Sequence, residues 1–278
     1  MDCYTIECVD RCAHPRLTTV KQTYILTLDD ARTFQPLHGI TAETYVQRNR
    51  GFVACRKSCD HNADYVSQTY MDITHAYKSL FRSTMHNTDP ILVLEDDTEL
   101  MPTAPLDWAA VDQFIAQNEF SVYSLGTFGM VVPSGGGHWR YLNAPIFGPI
   151  QSVIYSHPAR QRIMSVSTCE IGHLDTNVLS QFHRKYTFHR PLTHQTLRDT
   201  ANSRSWCVAC NGGYVDRAHR AVSKFLIRLM GLDGDSERGF ARVYQIHKLM
   251  LPCLLVCVAL LTSAMMRVID SFSPAAFA

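Results

Sequence analysis

The stretch "DPILVLEDDTEL", Asp89 to Leu100, constrains the fold more than any other part of the chain. Ile91 to Leu94 are consecutive apolar residues, a pattern suited to a strand buried on both faces. They run directly into Glu95, Asp96 and Asp97. Adjacent like charges repel, so a buried strand that stops there needs either bulk water or a cation at its end. The first alternative makes the segment an ordinary acidic surface turn. The second puts the acids at the rim of a pocket.

The segments around it supply a context. "TYILTL", Thr23 to Leu28, reads as an earlier strand, followed by a polar connection to about Asp64. In "YVSQTYMDITHAYKSLFRSTM", Tyr70, Ile73, Tyr77, Leu80 and Phe81 recur on one helical face. Strand, helix, strand predicts a βαβ unit and a parallel central sheet. Downstream, "WAAVDQFIAQN" is expected to be helical, "FSVYSLGTF" and "IFGPIQSVIYSH" to be strands, and "PARQRIMSVS" a helix with Pro158 near its start. Alternation fades beyond Arg198, so the main body is expected to end near Val208. The resulting division is a Cys-containing segment over 1–22, an α/β domain over 23–208, a basic amphipathic region over 209–248 and an apolar segment over 249–269.

That last segment includes "LMLPCLLVCVALLTSAMM", Leu249 to Met266, which carries no charged residue. As a helix it would reach about 27 Å, close to the ~30 Å of a bilayer's hydrocarbon core. A membrane anchor is expected; a buried helix of the main domain is the competing reading. Arg238, Arg242 and Lys248 precede it, and positive charge on that flank favours a cytoplasmic body, with a luminal body as the alternative. Upstream, "RAHRAVSKFLIRLMGL" interleaves Val222, Phe225, Leu226 and Leu229 with Arg217, Arg220, Lys224 and Arg228. Such a helix either lies on a membrane surface or packs on the body.

A net charge of +1 points to no nucleic-acid partner. Ten cysteines include the cluster Cys3, Cys8 and Cys12, the pair Cys55 and Cys59, and the pair Cys207 and Cys210. No second CxxC follows at zinc-ribbon distance, so free thiols are expected, with disulfides as the alternative in an oxidising compartment.

In an open α/β sheet, ligands bind outside the carboxyl ends of the strands, where Glu95, Asp96 and Asp97 would sit. Their oxygens suit Mg²⁺ or Mn²⁺, and such an ion can bridge carboxylates to a diphosphate. It would then offset charge developing on a nucleotide leaving group. The chain has no GxxxxGK[ST] motif, which disfavours a P-loop kinase or ATPase.

Taken with "YILTLDDAR", with Thr74-His75 ahead of "ILVLEDD", with "SVIYSHPARQRIM" before Asp175 in "HLDTNVL", and with "PLTHQTLRDTANS", the acidic strand end resembles glycosyltransferase family 25. That group contains bacterial lipopolysaccharide galactosyltransferases and the collagen galactosyltransferases. The likeness spans about Tyr24 to Ser205; the glycine-rich "PSGGGHW" and the C-terminal apolar segment lie outside it. It implies a GT-A-like nucleotide-sugar-binding sheet flanked by helices, here with an added C-terminal apolar helix. It also implies transfer of a hexose such as galactose from a UDP-sugar to a hydroxyl on a glycan, lipid or protein, with inversion. Asp97 and Glu95 would hold Mn²⁺ or Mg²⁺, with His194 as a further ligand. Asp96, His75, Gln195, Asp29, Asp30 and Arg32 would contact the donor. Asp175 would be the general base, although an N-cap of a helix starting near Thr176 explains it equally well. For His75 the alternative is a core histidine bonded to a neighbouring strand. Two other functions stay open: a metal-dependent phosphoryl-transfer or hydrolytic enzyme, and a membrane-anchored binding protein on an inactive transferase scaffold.

Overall fold

A computed structural model describes residues 2–28, 37–60, 64–103, 105–126, 129–142, 151–171, 173–196, 225, 227–232 and 236–271. In chain order the elements are β1 (Tyr4–Arg11), β2 (Gln22–Leu28), β3 (Glu43–Asn49), α1 (Gly51–Ala54), α2 (Thr69–Ser83), β4 (Ile91–Glu95) and β5 (Thr98–Leu100). There follow α3 (Pro105–Gln117), β6 (Val122–Ser124), β7 (Val131–Gly135), β8 (His138–Tyr141), β9 (Ser152–Tyr155), α4 (His157–Met164) and α5 (Thr168–Ile171). A π-helical turn (Leu174–Val178) and a 3-10 turn (Leu179–Gln181) lead to β10 (Lys185–Phe188), β11 (Thr193–Gln195) and α6 (Ser236–Ser271).

Nine strands form one mixed sheet in the order β1-β3-β2-β4-β9-β6-β10-β8-β7, and β11 pairs with β5 in a second, two-stranded sheet. β4 runs parallel to β2 and antiparallel to β9, so it is hydrogen-bonded on both edges. Its side chains alternate across the sheet. Ile91 and Val93 join one core with Tyr77, Leu80 and Phe81 of α2 and Ile163 of α4. Leu92 and Leu94 join the opposite core with Trp108, Val111 and Ile115 of α3. Each of these four β4 residues is fully buried, which stabilises the fold by about 1.5–3 kcal/mol apiece. The expected βαβ unit is present, because β2 and β4 are parallel with α2 between them. Antiparallel β9 makes the sheet mixed rather than parallel.

Two elements differ from the sequence reading. The connection expected to be polar and irregular contains β3, which pairs with β2. Its inward residues include Thr44, Gln47 and Asn49, so no apolar alternation betrays it; Gln47 Nε2 instead donates to Ala76 O at 2.9 Å. The N-terminal segment is not separate either, since β1 pairs with β3 along the sheet edge. "PARQRIMSVS" forms α4 as expected, with Ser156 Oγ accepting from the Ala159 N–H at 3.3 Å and Pro158 in the first turn. "PSGGGHW" is the β7–β8 hairpin, in which Gly137 adopts φ +80° with a Cβ position only 3.0 Å from His189 Nδ1.

The cysteines are also different from expectation. Cys3 is bonded to Cys55 and Cys59 to Cys169, across 52 and 110 residues of chain. Cys8, Cys12, Cys253 and Cys257 are free thiols, and Cys207 and Cys210 lie outside the described residues.

α6 does two jobs that the sequence reading had assigned to separate regions. Phe240, Tyr244 and His247, spaced four and three apart on one face, are buried against the body. The Tyr244 hydroxyl donates to Phe188 O at 2.6 Å. Beyond Lys248 the same helix continues through Pro252, and residues 252–266 are exposed. Its most apolar 18-residue window has mean hydropathy 2.4 and is 0% buried, so it is long and apolar enough to cross a membrane and is not a covered core helix. The basic stretch at 217–224 lies outside the described residues.

Candidate functional site

Period two carries straight through the end of β4 and divides the three acids. Glu95 follows Ile91 and Val93 and so falls on the α2 side. Its N–H donates to Gln151 O at 2.8 Å, which keeps the strand edge closed up to that residue. Its carboxylate lies under α2, where the Tyr77 hydroxyl donates to Oε1 at 3.3 Å. Burial, then the charges of Asp97 and Asp96, push the Glu95 carboxyl up to about 8, and Asp175 adds to the effect. Burial, followed by the Glu95 charge, likewise raises the hydroxyls of Tyr77 and Tyr155 far above the usual tyrosine range.

Asp96 turns toward the opposite face. Thr27, beyond Ile25 on that side of β2, donates its hydroxyl to Asp96 Oδ2 at 2.6 Å. Asp97 is held from a third direction, by the β5–β11 pair. Gln195 stands opposite Thr98 in that pair, and its Nε2 donates to Asp97 Oδ2 at 2.8 Å. The Thr196 N–H donates to the backbone oxygen of Asp97 at 2.8 Å. Gln195, expected as a donor contact, is thus held against Asp97.

His194 is placed elsewhere. Neighbouring strand residues face opposite ways, so with Gln195 on Asp97 its neighbour turns to the other side. There its Nε2 is 3.6 Å from Glu99 Oε2 and its ring is 6.4 Å from that of Phe240. His75 also departs from its expected role. It precedes Tyr77 by two residues, about 200° around the helix. Its Nδ1 is 2.7 Å from the Tyr4 hydroxyl of β1, and the two rings stack. It is thus a half-buried histidine bonded to the edge strand β1.

Asp175 occupies the second position of the π-helical turn. The N-cap is His173, whose ring stacks on Tyr70 at 4.6 Å, so Asp175 is not a cap. Its charge raises both Glu95 and Tyr155, an electrostatic link between the isolated aspartate and the acidic strand end. Asp29, Asp30 and Arg32 lie outside the described residues.

Three site residues were not singled out from the sequence: Tyr77, Tyr155 and Thr27. Tyr77 had a signal as part of the apolar face of α2. What its hydroxyl meets depends on how α2 lies across β4.

Among the described residues, no three His, Cys, Asp or Glu side chains form a group that could hold a metal ion. The set of Glu95, Asp97 and His194 is thus not assembled. The pair of carboxylates alone still fits the chemistry of a Mg²⁺-type ion. Such ions take one or two protein carboxylates and fill the remaining positions with phosphate oxygens and water. Burial is the larger cause of the raised Glu95 carboxyl; the smaller part, due to the charges of Asp97 and Asp96, is what a bound cation would relieve.

No protein-family model matches this chain, and no curated protein matches it. The likeness to glycosyltransferase family 25 stands on the motif residues themselves.

Proposed function

We propose that this protein is a glycosyltransferase that moves a hexose, galactose in the first instance, from a UDP-sugar to a hydroxyl of a glycan, lipid or protein acceptor. The observation that carries the reading is the cluster of Glu95, Asp96 and Asp97 at the carboxyl end of a central strand, with the charge of Asp175 felt at Glu95. A mixed sheet with helices on both faces is the scaffold that a GT-A-like domain requires, and ligands bind such sheets at this edge. Asp97 and Glu95 are the residues that would hold Mn²⁺ or Mg²⁺, and when bound the ion would offset charge on the departing diphosphate.

The chain's own groups divide the remaining work. Gln195 fixes the Asp97 carboxylate from one side, and Tyr77 fixes that of Glu95 from the other. Asp96, steadied by Thr27, faces the donor. Asp175 takes the proton of the acceptor hydroxyl as that oxygen attacks the anomeric carbon. The bond to the UDP oxygen breaks in the same displacement, which inverts the sugar configuration.

One observation favours a second reading, a binding protein without activity: each of the three acids already accepts a hydrogen bond from a protein side chain. A donor screen with Mn²⁺ separates the readings. The transferase reading expects nucleotide release from a UDP-sugar only when an acceptor is supplied, and its loss in Asp175→Asn with nucleotide binding kept. Nucleotide binding without turnover for any acceptor supports the binding protein, and acceptor-independent release supports a hydrolase.

A further inference from the structure

We infer that the folded body lies on the oxidising, extracytoplasmic side of a membrane crossed by α6, with the end of the chain beyond the span on the reducing side. This does not rest on the transferase reading. It rests on two covalent links and on where α6 leaves the body.

The links join four different parts of the domain. Cys3 precedes β1 and Cys55 follows α1, while Cys59 lies between α1 and α2 and Cys169 lies in α5. In each pair the Cα atoms are 5.6 Å apart, inside the range a disulfide needs. Contacts that involve no sulfur hold both pairs in place. The Arg50 N–H donates to Cys3 O at 3.2 Å, and Tyr4 stands opposite Asn49 in the β1–β3 register. Next to the second pair, the Thr168 hydroxyl donates to Asp60 Oδ2 at 2.7 Å, and Asp60 also takes Lys78 at 2.6 Å and Arg82 at 2.8 Å. Sulfurs brought together this way oxidise when an acceptor is available. Each pair loses two protons and two electrons to the disulfide of a thiol oxidoreductase, which leaves as a dithiol. Such bonds persist outside the cytosol and are rare within it.

The helix that packs on the body continues unbroken into the start of the span. Phe240, Tyr244 and His247 seat α6 on the sheet edge, and the exposed apolar run follows within a turn. Whatever compartment holds the disulfides therefore holds that flank of the span. Its basic residues argued for the cytoplasm when read from the sequence. In the fold Lys248 is part of the body: its Nζ donates to His189 O at 2.5 Å and lies 5.7 Å over the Trp139 ring. A charge committed to a folded domain is weak evidence of orientation, and the disulfides outweigh it.

The test uses the full chain expressed in eukaryotic cells with a C-terminal epitope, with thiols alkylated at lysis. Sealed membrane vesicles are treated with protease with and without detergent, and peptides are mapped without reduction. The expected result is a chain that resists alkaline extraction, a body protected until detergent is added, and an epitope removed from intact vesicles. Linked peptides containing Cys3 with Cys55 and Cys59 with Cys169 are expected in the same fraction. A Cys59→Ser variant should free the Cys169 thiol and leave the Cys3–Cys55 link, and Cys169→Ser should free the Cys59 thiol and leave the same link. Digestion of the body in sealed vesicles, release by alkaline extraction, or alkylation of all four thiols without reductant would each overturn the inference.

Discussion

Glu95 shows how much of a residue's chemistry is set by one step of strand register. On the α2 side it is half-buried beneath Tyr77, whose hydroxyl donates to it; one residue either way it would face elsewhere. Its folded pKa of about 8 lies above the ordinary glutamate value of 4.5, so the folded state holds the proton more tightly than the unfolded chain. This contribution to stability is full below the ordinary value and is lost as pH rises through about 8. Glu95→Gln keeps the shape and removes the titration. It should gain on the parent as pH climbs from about 5 to about 9, by up to a few kcal/mol at roughly 1.4 kcal/mol per pKa unit. Melting temperatures across pH check this, and an unchanging difference between the two proteins would refute it. At the same scale, Asp97→Asn should abolish Mn²⁺-dependent shifts in melting temperature with UDP while leaving the apo protein folded. Equal ligand shifts in parent and variant would remove Asp97 from the site.

Among the elements, the two-stranded β5–β11 sheet depends on a single glycine. A Cβ at Gly126 would lie 2.3 Å from Thr193 O, in the backbone of β11. The Leu192 N–H donates to Leu125 O at 2.7 Å across that same approach. Gly126→Ala should therefore displace β11 and draw Gln195 off Asp97. We expect a loss of about 1–3 kcal/mol, as for other overpacked sites, together with weaker nucleotide binding. Chemical denaturation and a binding titration measure the two effects. Intact affinity would mean that β11 does not position Asp97.

The elements also separate what was legible from what was not. β4 was readable from its unbroken apolar run, α2 from apolar residues at helical spacing, and α4 from Pro158 near its start. β3 was hidden by its polar inward residues, whose hydrogen bonds replace apolar burial. Of the candidate site, the acids, Asp175 and Gln195 were readable as residue types at strand or turn positions. His194 and His75 were misplaced because spacing along the chain does not say which face of a strand or helix turns to the site.

For the whole molecule, α6 couples the body to the apolar segment. Tyr244 is the hinge of that union, since its buried hydroxyl donates to Phe188 O and meets Thr187 Oγ1. Tyr244→Phe should cost about 1–3 kcal/mol, because it leaves a buried carbonyl without its donor. Truncation after Lys248 should yield a soluble, folded body, whereas truncation before Phe240 should expose the edge near β7 and β11 and lower the yield of folded protein. Size-exclusion profiles and thermal melts of the two truncations decide it, and equal behaviour would show that α6 adds nothing to the body.

Local pattern alone determined the strands and helices of clear pattern, the acidic end of β4 and the uncharged run from Leu249 to Met266, because each is written in neighbouring residues. Tertiary structure decided which partner holds each acid, that the charge of Asp175 is felt at Glu95, which cysteines meet, and that one helix carries both the contacts to the body and the exposed apolar run. Those outcomes depend on which faces of distant elements come together, and composition and periodicity carry no record of that.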